Sequence, residues 1–154
     1  MDLLWQAGVR VTFGIPGVHN LAFWDALRED RPTILGVRHE QTAAYAADGL
    51  ARVTGQVQVA LTTTGPGAAN TIAAFGEAAV CGSPVLVIAE GVSRGARQHT
   101  HYNIAEAFRS ITKWVGEIDE AKLVPDYMRR AFTHLRSGRP GPVLLIVPRD
   151  LGEY

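Results

Sequence analysis

The chain has 154 residues, with 15 basic and 15 acidic side chains and a formal net charge of zero. This length fits one domain of ordinary size, and the balanced charge provides no field of one sign to hold nucleic acid or an anionic membrane. No apolar run approaches the ~18 residues of a membrane span, and the N-terminus lacks the pattern of a secretory signal. We therefore expect a soluble cytoplasmic protein without nucleic-acid or membrane partners.

The first half of the chain alternates short strands with helices. Helical spacing ends at Gly8, and a β-branched alternation follows it. Asn20 is placed to cap a second helix that ends at about Arg28, and an alanine-rich pattern predicts a longer helix that ends before Gly55. These patterns predict helices over 1–8, 21–28 and 41–54 and strands over 9–13 and 33–37.

The second half continues the alternation with more apolar segments. One helix is small and apolar on nearly every side, which predicts burial between neighbouring elements. Cys81, just after it, is expected to be a small buried packing residue, and Pro125 fits a helix only in its first turn. The patterns predict strands over 57–62, 84–89, 111–115 and 142–147, helices over 68–80 and 104–108, a last helix between 120 and 137, and a polar loop over 90–103.

The predicted strands alternate with helices, and the links between them are short and rich in glycine. This order predicts an α/β fold: a doubly wound, mostly parallel six-stranded sheet with helices on both faces, in one domain. The carboxyl ends of such strands share one edge, so loops 14–19, 38–41 and 63–70 are expected to converge there. Glu40, in the second loop, is placed to bind a ligand, and the alternative from position alone is that it acts only as an acid that starts its helix.

The Gly65-Pro66-Gly67 turn precedes a helix, as a phosphate cradle would. No lysine follows the glycines, so the turn does not match a P-loop, and Pro66 removes an amide donor that a dinucleotide fingerprint needs. The glycines do let a flat ligand approach the backbone closely. A second interpretation is that they only form tight turns between strands and helices.

Four segments, found in the same order along the chain, resemble the pyrimidine-binding domain of thiamine diphosphate enzymes. The resemblance is to the acetolactate synthase and 2-oxoacid decarboxylase group in particular, and it covers essentially the whole chain. The segments are 13–17 (FGIPG), 37–52 (VRHEQ to ADGLAR), 64–70 (TGPGAAN) and 138–148 (GRPGPV and a later proline).

The resemblance implies a catalytic role for Glu40. In this family the matching glutamate hydrogen-bonds N1′ of the aminopyrimidine and promotes the imino tautomer, whose 4′ nitrogen removes the thiazolium C2 proton. The cofactor then acts as electron sink for the decarboxylation of a 2-oxo acid. The other cofactor-binding residues implied are Ile15, Pro16, Gly17, Thr64, Gly65, Pro66 and Asn70, and the implied substrate-side residues are Val18, His19, Thr100 and His101.

The family holds Mg²⁺ and the diphosphate of the cofactor in a separate domain with a Gly-Asp-Gly motif, which does not occur in this sequence. We therefore expect no metal site on this chain and no activity from it alone, whether it is a fragment or a subunit whose partner supplies that domain. Because the family's sites lie between two chains, the resemblance also implies a homo-oligomer, a dimer or tetramer. Its apolar interface is expected around the helices that follow Glu40 and Gly67.

Two departures from the acetolactate synthase pattern fall at positions where the resemblance implies contact with the substrate. Val18-His19 takes the place of a second glycine, and His99-Thr100-His101 stands where Phe-Gln-Glu is usual. A plain 2-oxoacid decarboxylase is therefore an alternative to carboligation, and a non-catalytic scaffold with the same fold is a third interpretation. His19 is a candidate proton donor and His39 is expected to support the turn geometry, while the spacing of His99 and His101 alone does not make a metal site.

Overall fold

The computed structural model describes residues 1–27, 29, 31–96 and 102–151. Within these ranges a six-stranded sheet is flanked by helices. The strands are β1 (Val11–Gly14), β2 (Thr33–Gly36), β3 (Gln58–Thr62), β4 (Val85–Gly91), β5 (Trp114–Glu117) and β6 (Val143–Pro148). The helices are α1 (Asp2–Gln6), α2 (Leu21–Asp25), α3 (Glu40–Thr54), α4 (Pro66–Ala69), α5 (Ile72–Cys81), α6 (Ile104–Phe108) and α7 (Val124–Arg136), with 3-10 turns at Ala121–Leu123 and Arg149–Leu151.

All neighbouring strands run parallel, in the order β2-β1-β3-β4-β6-β5. The predicted doubly wound α/β fold is confirmed. The chain reverses its direction across the sheet twice. After β2 it crosses back over β1 to β3, and after β5 it returns to place β6 between β4 and β5. Ligands bind preferentially at such reversals, outside the carboxyl ends of the strands.

The apolar core lies on both faces of the sheet. On one face the small residues of α3, including Ala43, Ala47 and Ala51, let that helix pack closely against β1 and β3. On the same face the rings of Phe75 and Phe108 form an edge-to-face pair with centroids 5.1 Å apart. The opposite face is covered by α1 and α7, so β3 and β4 are buried along their whole length.

The predicted helix over 68–80 is two helices, α4 and α5. The chain breaks at Asn70 and Thr71, where the Thr71 hydroxyl donates to the carbonyl of Ala68 (2.7 Å) and gives the backbone an alternative to helical hydrogen bonds. The prediction that this segment is buried on all sides is wrong, because only one face of α5 packs into the core. The prediction of a buried Cys81 is also wrong, since Cys81 lies on the outward face, one turn after Glu77.

Two strand boundaries differ from the predicted ones. β4 includes Glu90, which was expected to begin a polar loop and instead pairs with Val147 of β6. β5 begins at Trp114 rather than at residue 111, because the N–H of Ile111 donates to the carbonyl of Phe108 (3.0 Å) and completes the turn after α6. The apolar run therefore starts in a turn and becomes a strand only later.

Two helix predictions concern α2 and α7. α2 ends at Asp25, and Arg28, its predicted end, lies outside the described residues. Pro125 is in the first turn of α7, as predicted, where its missing N–H removes no hydrogen bond from the helix. No helix within the described ranges is long and apolar enough to cross a membrane.

Phe75→Ala is expected to lower the free energy of unfolding by about 3–5 kcal/mol, because it removes a fully buried ring and leaves a cavity beside Phe108. Val80→Ala, on the exposed face of the same helix, is the matched control and is expected to change that free energy by less than about 0.5 kcal/mol. Urea denaturation followed by circular dichroism measures both. Equal effects of the two substitutions would contradict the one-sided burial of α5.

Candidate functional site

The loop between β1 and α2 is folded by the side chain of Asn20. Its Oδ1 accepts a hydrogen bond from the N–H of Gly17 (2.7 Å), and its Nδ2 donates to the carbonyl of Ile15 (3.0 Å). Asn20 is fully buried and makes no side-chain cap to α2. The predicted capping contact is therefore wrong, because this side chain holds the Ile15-Pro16-Gly17 turn at the edge of the sheet instead.

Glu40 is the first residue of α3, but His39 is the residue that caps this helix. Nδ1 of His39 accepts a hydrogen bond from the N–H of Gln41 (3.1 Å), so His39 supports the turn geometry. The Glu40 carboxylate makes a long-range contact, in which Oε2 accepts a hydrogen bond from Nδ2 of Asn70 (3.0 Å). A contact with a distant loop favours a role other than helix capping for Glu40.

The Gly65-Pro66-Gly67 turn brings the backbone against Glu40. Gly65 has a φ of +55°, in the left-handed region that favours glycine, and Pro66 begins α4. A Cβ at Gly67 would lie 3.0 Å from Oε1 of Glu40 and 2.5 Å from Cγ2 of Thr63. Glycine therefore keeps a narrow space open beside Oε1, while the hydrogen bond from Asn70 goes to the other carboxylate oxygen, Oε2.

Thr63 connects this turn to the loop after β1. Its Oγ1 lies 3.4 Å from Nδ1 of His19. Its Cβ lies 3.2 Å from the position that a Cβ on Gly17 would occupy. The loops after β1, β2 and β3 therefore meet at the carboxyl edge of the sheet, as predicted. His19 is half-buried beside Thr63, whereas Val18 is 67% exposed at the rim.

Arg94 anchors the start of the loop after β4. Its N–H and its Nε donate to the carboxylate of Asp150 (3.0 and 2.7 Å), and its Nη1 donates to the carbonyl of Asp119. The hydrogen bond from the Arg94 N–H, reinforced by the guanidinium, lowers the pKa of Asp150. These contacts join the segments that follow β4, β5 and β6.

Tyr102 lies at the other end of this loop. Its hydroxyl donates to the carbonyl of Gly65 (3.0 Å), and burial raises the pKa of Tyr102. The loop after β4 is thereby tied to the Glu40 site. The predicted substrate-side residues Thr100 and His101, together with His99, lie between the two anchors and outside the described residues.

Comparison with known proteins identifies the family. The family model described as thiamine pyrophosphate enzyme, N-terminal TPP binding domain, matches residues 1–120. The chain belongs to this family. Thiamine pyrophosphate is the same compound as thiamine diphosphate, so the resemblance seen in the sequence motifs is confirmed.

The relatives of this TPP-binding domain are much longer proteins. It is 37% identical over 98% of its length to acetolactate synthase of Bacillus subtilis (strain 168), of which it covers 27%. It is 37% identical over 95% of its length to the probable acetolactate synthase large subunit of Methanocaldococcus jannaschii, and 35% identical over 97% to 2-hydroxyacyl-CoA lyase 2 of Xenopus laevis. It covers 25% and 23% of these two proteins, so the chain spans about a quarter of the length of the curated relatives it matches.

In this TPP-binding domain α3 and α5 are joined by charged side chains. Nη2 of Arg52 lies 2.5 Å from Oδ2 of Asp48 and 3.2 Å from Oε1 of Glu77. The hydrogen bond with buried Asp48, followed by that with Glu77, raises the pKa of Arg52. Asp48 and Arg52 are four residues apart on one helix, so the sequence could have predicted their ion pair. The contact of Arg52 with Glu77 depends on the packing of two helices and could not be predicted in this way.

The two helices also expose large apolar side chains. Tyr45 and Val53 on α3 are 42% and 86% exposed, and Val80 on α5 is 73% exposed. We refer to Tyr45, Val53 and Val80 as the α3–α5 surface. The apolar interface that the sequence predicts around these two helices stays a prediction.

A cavity of about 320 Å³ lies at the second reversal of the sheet, between the ends of β4 and β6. Its wall includes Thr64, Gly91, Tyr102, Glu117 and Ile146. The TPP-binding domain thus has a concavity beside its Gly65 turn that sequence patterns did not indicate, because it depends on contacts between distant segments. Within the described ranges no three His, Cys, Asp or Glu side chains are grouped so that they could hold a metal ion.

Gly67→Ala is expected to lower the free energy of unfolding by about 1–3 kcal/mol, because the new Cβ would meet Thr63 at 2.5 Å and Glu40 at 3.0 Å. Gly76→Ala is the matched control. A Cβ at Gly76 would meet no atom within 4 Å, so alanine is expected to stabilise α5 by up to about 1 kcal/mol. Urea titration of both variants measures whether each substitution lowers or raises the free energy of unfolding. A stabilising effect of Gly67→Ala would contradict the close approach of Gly67 to Thr63 and Glu40.

Proposed function

We propose that this chain binds the aminopyrimidine of thiamine diphosphate and activates it through Glu40, for the decarboxylation or carboligation of 2-oxo acids. The observation that carries the proposal is the arrangement of one carboxylate. Asn70 holds Oε2 of Glu40 at 3.0 Å, while Oε1 faces the space beside Gly67. One oxygen is thereby fixed in place, and the other is left for a ring nitrogen.

The residues around Glu40 fit a flat, uncharged ring. A Cβ at Gly67 would fill the space beside Oε1, so only glycine leaves room for the edge of a ring there. The neighbouring polar groups, Thr63 and Asn70, are uncharged hydrogen-bonding side chains. Glu40 would hold the proton shared with N1′ at Oε1, while Asn70 prevents the carboxylate from rotating away.

When bound, thiamine diphosphate supplies a nucleophilic thiazolium carbon and an electron sink for the loss of carbon dioxide from a 2-oxo acid. The chain's own residues orient the pyrimidine end and leave the substrate side open. We assign cofactor contacts to Glu40, Ile15, Pro16, Gly17, Thr64, Gly65, Pro66 and Asn70, and substrate contacts to Val18, His19, Thr100 and His101.

The Glu40 site is open on one side, which supports the proposal that it is half of an active site. Glu40 is half-buried, and Pro66 and Asn70 are exposed. We infer that a diphosphate-binding domain, in the same polypeptide or in another chain, covers this edge and holds Mg²⁺ with the diphosphate. The chain alone is then expected to be inactive, in keeping with its share of about a quarter of its relatives' length.

The choice between carboligation and simple decarboxylation depends on the substrate side. Two of the relatives named above are acetolactate synthases, which supports an acetolactate synthase-like carboligation. The contact of His19 with Thr63 favours a plain 2-oxoacid decarboxylase as a second candidate. An imidazole at this edge could donate a proton to an intermediate after carbon dioxide has left.

In the assembled enzyme, Glu40→Gln is expected to reduce kcat by about 10²- to 10⁴-fold, because an amide cannot share a proton with a ring nitrogen as a carboxyl group does. Steady-state assays with a 2-oxo acid measure turnover, and calorimetry measures the affinity for thiamine diphosphate. Glu120→Gln is the matched control, because Glu120 is an exposed acid that pairs with Lys122 away from the site. It is expected to retain the parent activity.

Near-normal turnover of Glu40→Gln would overturn the proposed role. A parent assembly that releases no heat with thiamine diphosphate would favour the non-catalytic scaffold instead. The turnover assay therefore tests the role of Glu40, and the calorimetry tests whether the assembly binds the cofactor at all.

We also propose that a second copy of the chain covers the α3–α5 surface and gives a dimer or tetramer. In the complete protein, Val80→Asp is expected to raise the dissociation constant of the oligomer by about 10²-fold or more, because it would bury an unpaired carboxylate at the interface. Val80→Ala is the control for lost contact area. Sedimentation velocity over a range of concentrations measures both, and an unchanged equilibrium for Val80→Asp would place the interface elsewhere.

A further inference from the structure

Tyr102 joins the end of the loop after β4 to the turn beside Glu40. Its hydroxyl donates a hydrogen bond to the carbonyl of Gly65 (3.0 Å), the residue that immediately precedes α4. The two residues are 37 positions apart in the chain, so the contact belongs to the tertiary structure. We propose that Tyr102 is a positioning residue for the Glu40 site: its hydroxyl fixes α4, which holds two residues against the Glu40 carboxylate.

The backbone of Tyr102 is held by the core. Its carbonyl accepts a hydrogen bond from the N–H of Ile104 (2.8 Å), the first residue of α6. That helix packs into the core through Ile104 and Phe108, and the ring of Phe108 forms the edge-to-face pair with Phe75. The Tyr102 hydroxyl is therefore placed by an element that is itself fixed by core packing.

α4 has a single turn and depends on contacts outside itself. An isolated helical turn is unstable, because its nucleation fixes several dihedral angles for one hydrogen bond. The carbonyl of Gly65 accepts from two donors, the N–H of Ala69 in the helix (3.0 Å) and the hydroxyl of Tyr102. A carbonyl oxygen has two lone pairs, so both bonds can form together. Tyr102 therefore fixes the acceptor on which the first hydrogen bond of α4 depends.

α4 brings two contacts to Glu40. Near its start, a Cβ at Gly67 would lie 3.0 Å from Oε1 of Glu40. At its end, Nδ2 of Asn70 donates to Oε2 of Glu40 (3.0 Å). A displacement of α4 from the edge of the sheet would change both distances together. Tyr102 thus acts on the carboxylate through the backbone of α4.

This inference rests on the proposed function, because it assigns Tyr102 to the pyrimidine side of the site. Tyr102→Phe removes the hydroxyl and keeps the ring. Tyr127→Phe is the matched control, since Tyr127 lies on α7, on the opposite face of the sheet. The two variants lose the same atom, but only Tyr102→Phe loses the hydrogen bond to Gly65.

The first experiment follows α4 in the complete protein, without cofactor or substrate. Amide hydrogen exchange, measured by mass spectrometry, is expected to be about three- to tenfold faster over residues 66–71 in Tyr102→Phe, the effect of one lost hydrogen bond. Exchange over residues 41–54 of α3 is expected to stay at the parent rate. Parent-like exchange over 66–71 would overturn the anchoring role. Equal acceleration of both segments would indicate a general loss of stability and would also overturn it.

The second experiment measures two constants in the assembled enzyme. Tyr102→Phe is expected to raise the Kd for thiamine diphosphate by about three- to tenfold, without changing the KM for a 2-oxo acid at saturating cofactor. Tyr127→Phe is expected to keep both constants at the parent values. A raised KM with an unchanged Kd would place Tyr102 on the substrate side and overturn the inference.

A double-mutant cycle tests the route from Tyr102 to Glu40. In the Asn70→Ala background, the effect of Tyr102→Phe on the Kd is expected to fall to less than half, because the contact that Tyr102 positions has been removed. The same fold-change in both backgrounds would overturn this route. A failed proposed function gives a different result: the parent assembly would release no heat with thiamine diphosphate, while exchange over 66–71 would still respond to Tyr102→Phe.

Discussion

The hydrogen bond from Asn70 to Glu40 joins the two sides of the first reversal of the sheet. Glu40 follows β2 and Asn70 follows β3, and β1 lies between these strands. The contact therefore spans the carboxyl end of β1, and the loop after that strand must not occupy the space between Glu40 and Asn70. Asn20 provides this by folding the loop back on itself, and Gly14 lets the end of β1 approach the carbonyl of Leu61 closely.

The loops and helices at this edge lie close together because their residues are small, and not because ion pairs hold them. The alanines of α3 bring the helix that begins with Glu40 close to the sheet, and Gly67 brings the next turn within contact of its carboxylate. A larger residue at either place would separate the acid from its amide partner. The same two helices expose Tyr45, Val53 and Val80, so the site and the α3–α5 surface lie on the same pair of closely packed elements.

The elements and their order could be predicted because each depends on local patterns: apolar strands, glycine turns and the spacing of helical residues. Glu40 could be singled out for the same reason, since it stands where an apolar run meets a helix. The errors concern residues whose environment depends on distant segments. Asn20 has the chemistry of a cap but binds backwards into its loop, Cys81 has apolar neighbours in sequence but faces outward, and the partner of Tyr102 is a carbonyl in another loop.

The position of β6 has a consequence for how the chain folds. Within the described sheet β5 pairs with β6 and not with β4, so β5 has no place in the sheet until the last strand has formed. Parallel pairing between distant segments forms slowly, because loop-closure entropy opposes it before the contacts stabilise it. Asp150, which anchors Arg94, follows β6 as well. During synthesis the loop after β4 would therefore acquire its anchor only once β6 had formed, after the Glu40 edge had already assembled.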